Sequence, residues 1–390
     1  MAENKNIPEI RFDGFIDAWE QRKLGELCTE FKSGDFISAQ EIEVSGPYPV
    51  YGGNGLRGYT DRYNHDGEYA LIGRQGALCG NMNFSFGKAY FTEHAVAVKA
   101  DKFNDTRFLF YCFGNMNLGQ YSGQSAQPGL AVGNLVELKT LAPSKPEQEK
   151  ISATLTHLDA LITLHQRKYE RLKNVKKSML EKMFPHDGAN IPEIRFDGFT
   201  EAWEQRKLGE LVQFSKGTGY SKADLKEFGT PIILYGRLYT KYETVIVNVD
   251  TFADAKQGSV YSRGGEVIVP ASGETAEDIS IASVVEKSGV LLGGDLNIIT
   301  PSADLDSAFL AISISNGKPH EDMAKMAQGK SVVHLHNTDL EKIDLAYPSH
   351  EEQTQISGFF RGIDNLITLH QRKYEKLKQI KKSMLEKMFV

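Results

Sequence analysis

Two stretches of this 390-residue chain occur twice and frame two stretches that do not repeat. The repeated stretches are residues 7–27 with 191–211, and residues 164–184 with 369–389. The first pair differs at two of 21 positions and the second at three. The enclosed segments, Cys28–Thr163 and Val212–Thr368, differ in sequence and length. A plain duplication would leave the middles alike as well, so the pattern indicates two different domains on one repeated frame.

Length and composition limit the class of protein. At 390 residues the chain is long enough for two or three compact units, and 41% hydrophobic with 25% charged residues is typical of a globular protein. No run approaches the roughly 18 apolar residues of a membrane span, and residues 1–6 open no signal peptide. We therefore expect a soluble cytoplasmic protein without a membrane partner.

The cysteines argue against a metal site, and the charges argue against a generally basic surface for nucleic acid. Cys28, Cys79 and Cys112 have no metal-ligand spacing, so we expect reduced core thiols. The net charge of -6 gives no overall attraction for nucleic acid. Residues 28–145 carry 10 Lys/Arg against 11 Asp/Glu, and residues 212–350 carry 12 against 18. Any positive groove must be local or supplied by partners.

Each half ends in a pattern typical of a long helix. Apolar or large residues recur at alternating steps of four and three, which predicts a coiled-coil seam. The seam residues are Ile151, Leu155, Leu158, Ile162, His165, Tyr169 and Leu172 in the first copy, and Ile356, Phe360, Ile363, Ile367, His370, Tyr374 and Leu377 in the second. Two ordinary amphipathic core helices are the alternative.

Charge patterning predicts the direction of this helix pair. Acidic residues lie early and basic residues late in each copy, so only an antiparallel pair sets opposite charges against each other. We expect His165 and His370 to approach one another near a pseudo-two-fold axis and to fix the register, rather than to bind metal.

The variable segments contain short apolar runs, which predict strands separated by turns. The runs are residues 69–73 and 95–98 in the first segment, and 230–235, 244–247, 265–269 and 296–299 in the second. A helix is predicted near the end of each segment, at residues 105–113 and 304–315. The fold class expected is α+β: two pseudo-symmetric globular domains joined by two long helices that form an antiparallel coiled coil. The predicted divisions are a first domain, a first helix, a linker with the second domain, and a second helix, at residues 1–145, 146–184, 185–350 and 351–390.

Three recurrent motifs carry a family resemblance. Residues 8–27 and 192–211 follow the pattern P-x-[IL]-R-F-x-G-F-x-x-x-W-x-x-x-x-L-G-x-L. Residues 143–151 and 348–356 resemble a P-x-x-x-E-Q-x-x-I helix entry, and residues 51–59 resemble a recurrent recognition segment. Together they cover both halves, and the chain resembles the specificity subunits of type I restriction-modification systems.

This resemblance implies that each variable segment is a target recognition domain for one half of a bipartite double-stranded DNA sequence, with the helices as spacer. It implies two modification subunits that methylate adenine N6 from S-adenosylmethionine, and restriction subunits that use ATP and Mg. The chain itself would bind no cofactor and catalyse nothing. A tandem ligand-binding or scaffold protein is the alternative function, and an enzyme is the other.

The candidate base contacts of the first segment are polar side chains in glycine-rich loops, and those of the second are the corresponding residues, because arginine and glutamine bond bidentately to guanine and adenine. They are Arg57, Tyr59, Arg62, Arg74 and Gln75 in the first segment, and Arg237, Tyr239, Lys241, Ser272, Glu274 and Thr275 in the second.

Other motifs have structural interpretations. Residues 324–331, AKMAQGKS, lack the first glycine of a phosphate loop. His334 and His336 share one face of a predicted strand, for which metal binding is the minor alternative. Trp19 and Trp203 fall at equivalent frame positions. We expect each to anchor its block, with a modification-subunit contact as the second interpretation.

Overall fold

The structure of this chain, a computed structural model, describes residues 6–76, 78–123, 129–186, 188–329 and 332–390. The chain divides into two compact units. Unit 1 comprises Met1–Gln166 with Arg372–Val390, and unit 2 comprises Arg167–Gln371. Each unit therefore contains one variable domain together with one part of each long helix.

Unit 1 is built on a six-stranded sheet with the strand order β2-β7-β5-β6-β3-β4, and β1 pairs separately with β8. The strands are β1 Glu20–Lys23, β2 Cys28–Ser33, β3 Tyr48–Gly52, β4 Gly55–Thr60, β5 His65–Gly73, β6 Met82–Phe91, β7 Ala95–Ala100 and β8 Lys139–Ala142. The helices are α1 Thr106–Asn115, α2 Val132–Glu137 and α3 Lys145–Lys182, with short 3-10 turns at Leu24–Leu27, Ala39–Glu41 and Leu118–Tyr121. The sequence predicted strands at residues 69–73 and 95–98, and both are confirmed inside β5 and β7.

Unit 2 contains a five-stranded sheet with the order β10-β18-β14-β16-β12, and a smaller sheet with the order β13-β11-β17. Two further pairs are β15 with β19 and β20 with β9. The strands are β9 Glu204–Lys207, β10 Val212–Lys216, β11 Thr230–Ile233, β12 Val245–Ile246, β13 Phe252–Ala253, β14 Glu266–Pro270, β15 Ser272–Gly273, β16 Ser283–Val285, β17 Leu291–Leu292, β18 Leu296–Pro301, β19 Val333–His334 and β20 Asp344–Tyr347. The helices are α4 Gly236–Thr240, α5 Ala276–Ile279, α6 Ser307–Ile314, α7 Gly317–Met326, α8 Asn337–Leu340 and α9 His350–Met388, with 3-10 turns at Leu208–Glu210 and Lys222–Asp224.

A capped helix follows the last strand of the main sheet in each unit, as the sequence predicted. Asp105 accepts a hydrogen bond from the Phe108 backbone N–H at 2.7 Å and caps α1. Asp306 accepts from the Phe309 N–H at 2.8 Å and caps α6. An Asp at this position satisfies a backbone donor that the first helical turn leaves open. Both helices then pack their Phe side chains into the core of their own unit.

The repeated blocks hold the start of each long helix against its domain. In unit 1 the Arg11 guanidinium donates to both oxygens of Glu147, at 2.7 and 2.8 Å. Glu147 is 1% exposed, so this bidentate pair is almost fully removed from water. The neighbouring Gln148 accepts from the Asp105 N–H at 2.9 Å and donates to the Pro143 carbonyl at 2.9 Å.

Unit 2 repeats this arrangement. Arg195 donates to both oxygens of Glu352 at 2.6 and 2.7 Å, and Glu352 is also 1% exposed. Gln353 accepts from the Asp306 N–H and donates to the Pro348 carbonyl, each at 2.9 Å. The repeated Glu-Gln dipeptide thus ties the helix, the repeated block and the variable domain together in each unit.

The two long helices run antiparallel within each unit, which confirms the prediction from charge patterning. In unit 1, Lys381 of α9 donates to Asp159 of α3 at 2.5 Å. In unit 2, Lys176 of α3 donates to Asp364 of α9 at 2.6 Å. These pairs join the basic late part of one helix to the acidic early part of the other.

The predicted seam residues differ in how deeply they are buried along each long helix. Its first residues, Ile151 and Leu155 in unit 1 and Ile356 and Phe360 in unit 2, are at most 1% exposed and belong to the domain cores. The remaining seam residues after these are partly buried apart from Leu158 and Ile363, which are buried. The same domain cores also contain residues from the end of the other long helix, Met388 in unit 1 and Met179 in unit 2. The coiled-coil seam along the whole helix stays a prediction. His165 and His370 are both partly buried and lie in different units, so their approach stays a prediction.

Candidate nucleic-acid interface

An open depression of about 510 Å³ lies at one end of the unit 1 sheet. We call it the Arg57 depression, and its lining residues are Gly53, Asn54, Arg57, Gln75, Gly76 and His94. The β3–β4 turn, the end of β5 and the turn before β7 form its walls. Arg57 and Gln75 were both predicted from the sequence as base contacts, and both line this depression.

Close backbone packing explains the glycines around this depression. The Arg74 N–H donates to the His94 carbonyl at 2.9 Å, which draws the end of β5 against the turn before β7. A Cβ atom on Gly53 would lie 2.9 Å from the His94 carbonyl oxygen, and one on Gly73 would lie 2.4 Å from the Gly53 carbonyl oxygen. Side chains at either position would push these segments apart, so glycine is required at both for the close backbone packing around the depression.

The arginines near the depression differ in whether the protein already holds them. Arg62 donates to Glu41 at 2.5 Å, and its guanidinium lies over the Tyr90 ring. Arg74 donates to the Ser33 hydroxyl at 3.2 Å. Arg57 is exposed and makes no hydrogen bond or ion pair with any other residue that the structure describes. Its donors therefore remain available, whereas those of Arg62 and Arg74 serve the fold.

Two polar lining residues, Asn54 and His94, were missed by the sequence analysis. Asn54 is exposed in the turn between β3 and β4, inside the motif at residues 51–59. His94 is partly exposed and lies 3.3 Å from the carboxylate of Glu93. The position of Asn54 within a glycine-rich motif was a usable signal. Nothing in the local sequence distinguishes His94, because its place depends on the pairing of distant strands.

Tyr59 mainly stabilises the fold. Its backbone exchanges two hydrogen bonds with Glu43, at 2.8 and 2.9 Å, and its side chain is partly buried. It lies outside the set of residues that line the Arg57 depression. Its role in base contact stays a prediction.

Unit 2 repeats the backbone frame of this depression with different side chains. The Ala271 N–H donates to the Asp295 carbonyl at 2.7 Å, just as the Arg74 N–H donates to that of His94. The next residue, Ser272, pairs with His334 across β15 and β19. Asp295 therefore occupies the place that His94 occupies in unit 1.

A second correspondence places helix α4 where unit 1 has the β3–β4 turn. Tyr51 of β3 and Ile233 of β11 accept equivalent backbone hydrogen bonds, each 2.9 Å long. Both strands also pair in parallel with a later strand of their own unit, β3 with β6 and β11 with β17.

The structure separates the unit 2 candidates into held and exposed side chains. Arg237 is 8% exposed and donates to Glu243 at 2.6 Å and to Asp250 at 2.8 Å, which tells against base contact. Lys241 also donates to Asp250, at 2.6 Å.

Ser272 is 4% exposed in β15, so its hydroxyl does not face the surface. The Thr275 hydroxyl accepts from the Asp278 N–H at 3.1 Å and caps α5. Glu274 lies between them and is exposed, while Tyr239 is partly exposed. Burial raises the pKa of Tyr239 most, and the nearby Tyr235 and Glu274 raise it further.

The remaining motifs have structural places or lie outside the described residues. The stretch 324–331 ends at Lys330 and Ser331, outside the residues that the structure describes, after the end of α7. The His334 and His336 rings are parallel, with centroids 6.4 Å apart. Within the described ranges, no cluster of three or more His, Cys, Asp or Glu side chains could hold a metal ion.

Trp19 and Trp203 are core residues. They are 2% and 3% exposed, and each packs edge-on against a phenylalanine from the end of a long helix. This confirms the anchoring role and tells against a direct contact with another subunit. Among the helices of the described residues, none has the length and apolar character needed to cross a membrane.

The family comparison covers most of both halves. The model of the type I restriction modification DNA specificity domain matches residues 16–174 and 200–379. These two matches begin and end at nearly equivalent places in the repeated frame, so both units fit the same family description.

Similar proteins carry related names. The type I restriction enzyme EcoprrI specificity subunit of Escherichia coli is 47% identical over 146 residues, which is 36% of this chain and 36% of that protein. A putative type I restriction enzyme specificity subunit of Haemophilus influenzae is 22% identical over 94% of each chain. The crystal structure of a type I restriction-modification S subunit from M. genitalium has a TM-score of 0.70 at 15% identity, over 98% of this chain and 99% of that one. This last likeness concerns the fold.

Proposed function

This chain belongs to the family of type I restriction-modification specificity subunits, and we propose that each of its two units recognises one half of a bipartite DNA target. Two different domains on one repeated frame suit a target whose halves differ in sequence. The scaffold alternative is not favoured, because the family match covers both variable domains.

The observation that carries the proposal is the Arg57 depression. An exposed guanidinium without a partner among the described residues lies beside Gln75 and Asn54. Arginine donates two parallel hydrogen bonds to O6 and N7 of guanine, whereas Asn or Gln donates to N7 of adenine and accepts from its N6 amino group. The protein leaves these donors unused although it occupies those of Arg62 and Arg74.

The paired helices act as a spacer in this proposal. Helix α3 contains 38 residues and α9 contains 39, so each is roughly 55–60 Å long at 1.5 Å per residue. One turn of DNA is about 34–36 Å, which leaves room for two recognition sites about one turn apart. A rigid spacer of this kind would set the number of unread base pairs between the half-sites.

Catalysis would belong to partner subunits. Two modification subunits would transfer a methyl group from S-adenosylmethionine to adenine N6, and restriction subunits would use ATP and Mg. This chain would bind none of these cofactors and would recognise DNA in the cytoplasm. Partners would also supply phosphate contacts, because the variable domains are not basic overall.

A genome-wide map of N6-methyladenine tests the proposal. Cells that express this chain with its modification subunit are compared with cells that express the modification subunit alone. We expect a new bipartite motif with a fixed unread gap. Absence of any new motif, in cells where the assembled complex is verified, would contradict the proposed function.

A further inference from the structure

The two units present exposed side chains of opposite hydrogen-bonding character at the same end of their main sheets. In unit 1 the exposed arginine of the depression is Arg57, a pure donor. In unit 2 the Ala271–Asp295 backbone hydrogen bond marks the same end of the sheet, and Asp295 stands in the place of His94. The exposed candidate three residues after Ala271 is Glu274, whose ionised carboxylate only accepts hydrogen bonds.

The arginine candidate of unit 2 offers no free donor. Arg237 is 8% exposed, and its guanidinium is bound by Glu243 and Asp250. It also donates to the Asn248 carbonyl at 3.0 Å. A base contact by Arg237 would break these bonds. Arg237 therefore stabilises the segment after α4 and does not contact DNA in this proposal.

Glu274 is the exposed polar side chain that follows β15, the strand matched to Gln75. No ion pair or side-chain hydrogen bond joins Glu274 to any other residue in the described part of the chain.

Resting on the function proposed above, we propose that unit 1 reads a guanine through Arg57, whereas unit 2 reads a cytosine through Glu274. Glutamate accepts a hydrogen bond from the cytosine N4 amino group, and arginine donates to guanine O6 and N7. A free acceptor at one site and a free donor at the other fit an asymmetric target.

The test uses the full chain with its modification subunit, and Glu274→Gln is the key variant. Glutamine has nearly the same size but bonds bidentately to adenine. We expect one position of the second half-site to lose its cytosine preference by about 5- to 150-fold and to gain adenine, as each correct base contact contributes roughly that discrimination. The first half-site and the gap should not change.

Matched variants make the result specific. Glu277 is exposed on α5 three residues away, and Glu277→Gln should leave the motif unchanged. Arg57→Ala should relax one guanine position of the first half-site, whereas Arg62→Ala, which removes an arginine already held by Glu41, should not. Thermal unfolding and co-purification of each variant with the modification subunit establish that it is folded and assembled.

The outcomes separate this inference from the function on which it rests. If the unaltered chain directs no bipartite motif, the proposed function fails. If it directs one and a folded, assembled Glu274→Gln variant keeps every base preference, the proposed function stands and the role of Glu274 is wrong.

Discussion

Arg195→Ala should destabilise unit 2 far more than the loss of an ordinary surface charge. The Arg195 guanidinium holds both oxygens of Glu352, and the Glu352 side chain is 1% exposed. Removing Arg195 leaves a carboxylate buried without its partner. Breaking a buried pair in this way costs about 3–5 kcal/mol. The cost arises from the buried charge that remains rather than from the strength of the ion pair itself.

The expected shift in melting temperature follows from the size of the unit. For 150–250 residues, each kcal/mol lowers Tm by about 2–4 °C, so the transition of unit 2 should fall by roughly 6–20 °C. Calorimetry of the full-length chain measures this shift. Each transition is assigned to its unit with the equivalent variant, Arg11→Ala, which removes the partner of the buried Glu147 in unit 1.

Arg206→Ala is the matched control. Arg206 pairs with Glu210 at 3.0 Å, but both side chains are about half exposed, at 47% and 53%. Exposed pairs contribute about 0–1 kcal/mol, so this Tm should change by only a few degrees. The double variant Arg195→Met/Glu352→Met should recover most of the loss, since no charge stays buried. Equal shifts for Arg195→Ala and Arg206→Ala would refute the reasoning.

Three further predictions concern thiols, helix pairing and a buried arginine. Burial raises the pKa of Cys28 to about 12 and that of Cys112 to about 11, so both should resist alkylation at pH 8 until the chain unfolds. An unfolded thiol titrates near 8.5, so this contribution to stability is complete below about pH 8.5 and is lost as pH rises through 11–12; rapid native labelling of either thiol would contradict it. Asp159→Asn removes the charge that accepts from the opposing helix and should lower the Tm of unit 1 by a few degrees at low salt and less at high salt; a shift that does not depend on salt would exclude an ion pair as its cause. Arg237→Ala should lower the Tm of unit 2 more than Lys241→Ala, which is 52% exposed, while the methylation motif stays the same; a changed motif would return Arg237 to the base contacts.

Local patterns in the sequence predicted much of the fold. Short apolar runs between turn residues predicted strands that the structure confirms, and the predicted helix at residues 105–113 begins at Asp105, which caps α1. The order of charges along the two long helices predicted their antiparallel pairing, now seen at Asp159 and Lys381. These signals are local or repeat along one helix, so a single sequence is enough to detect them.

The candidate site was less predictable because side-chain availability depends on distant partners. Arg57 and Arg62 look equivalent in sequence, five residues apart among glycines and tyrosines. Glu41 holds Arg62 and leaves Arg57 exposed, and no local pattern announces that contact. In the same way, Arg237 resembled a surface residue until its two acidic partners were located.

The central claim is that one frame carries two exchangeable recognition domains on antiparallel helices. The most direct test replaces residues 212–347 with a second copy of residues 28–142 and maps N6-methyladenine in cells with the modification subunit. The account predicts an inverted repeat of the half-site read by unit 1, with the original unread gap. A direct repeat, or the original asymmetric motif, from a folded and assembled chimera would contradict it.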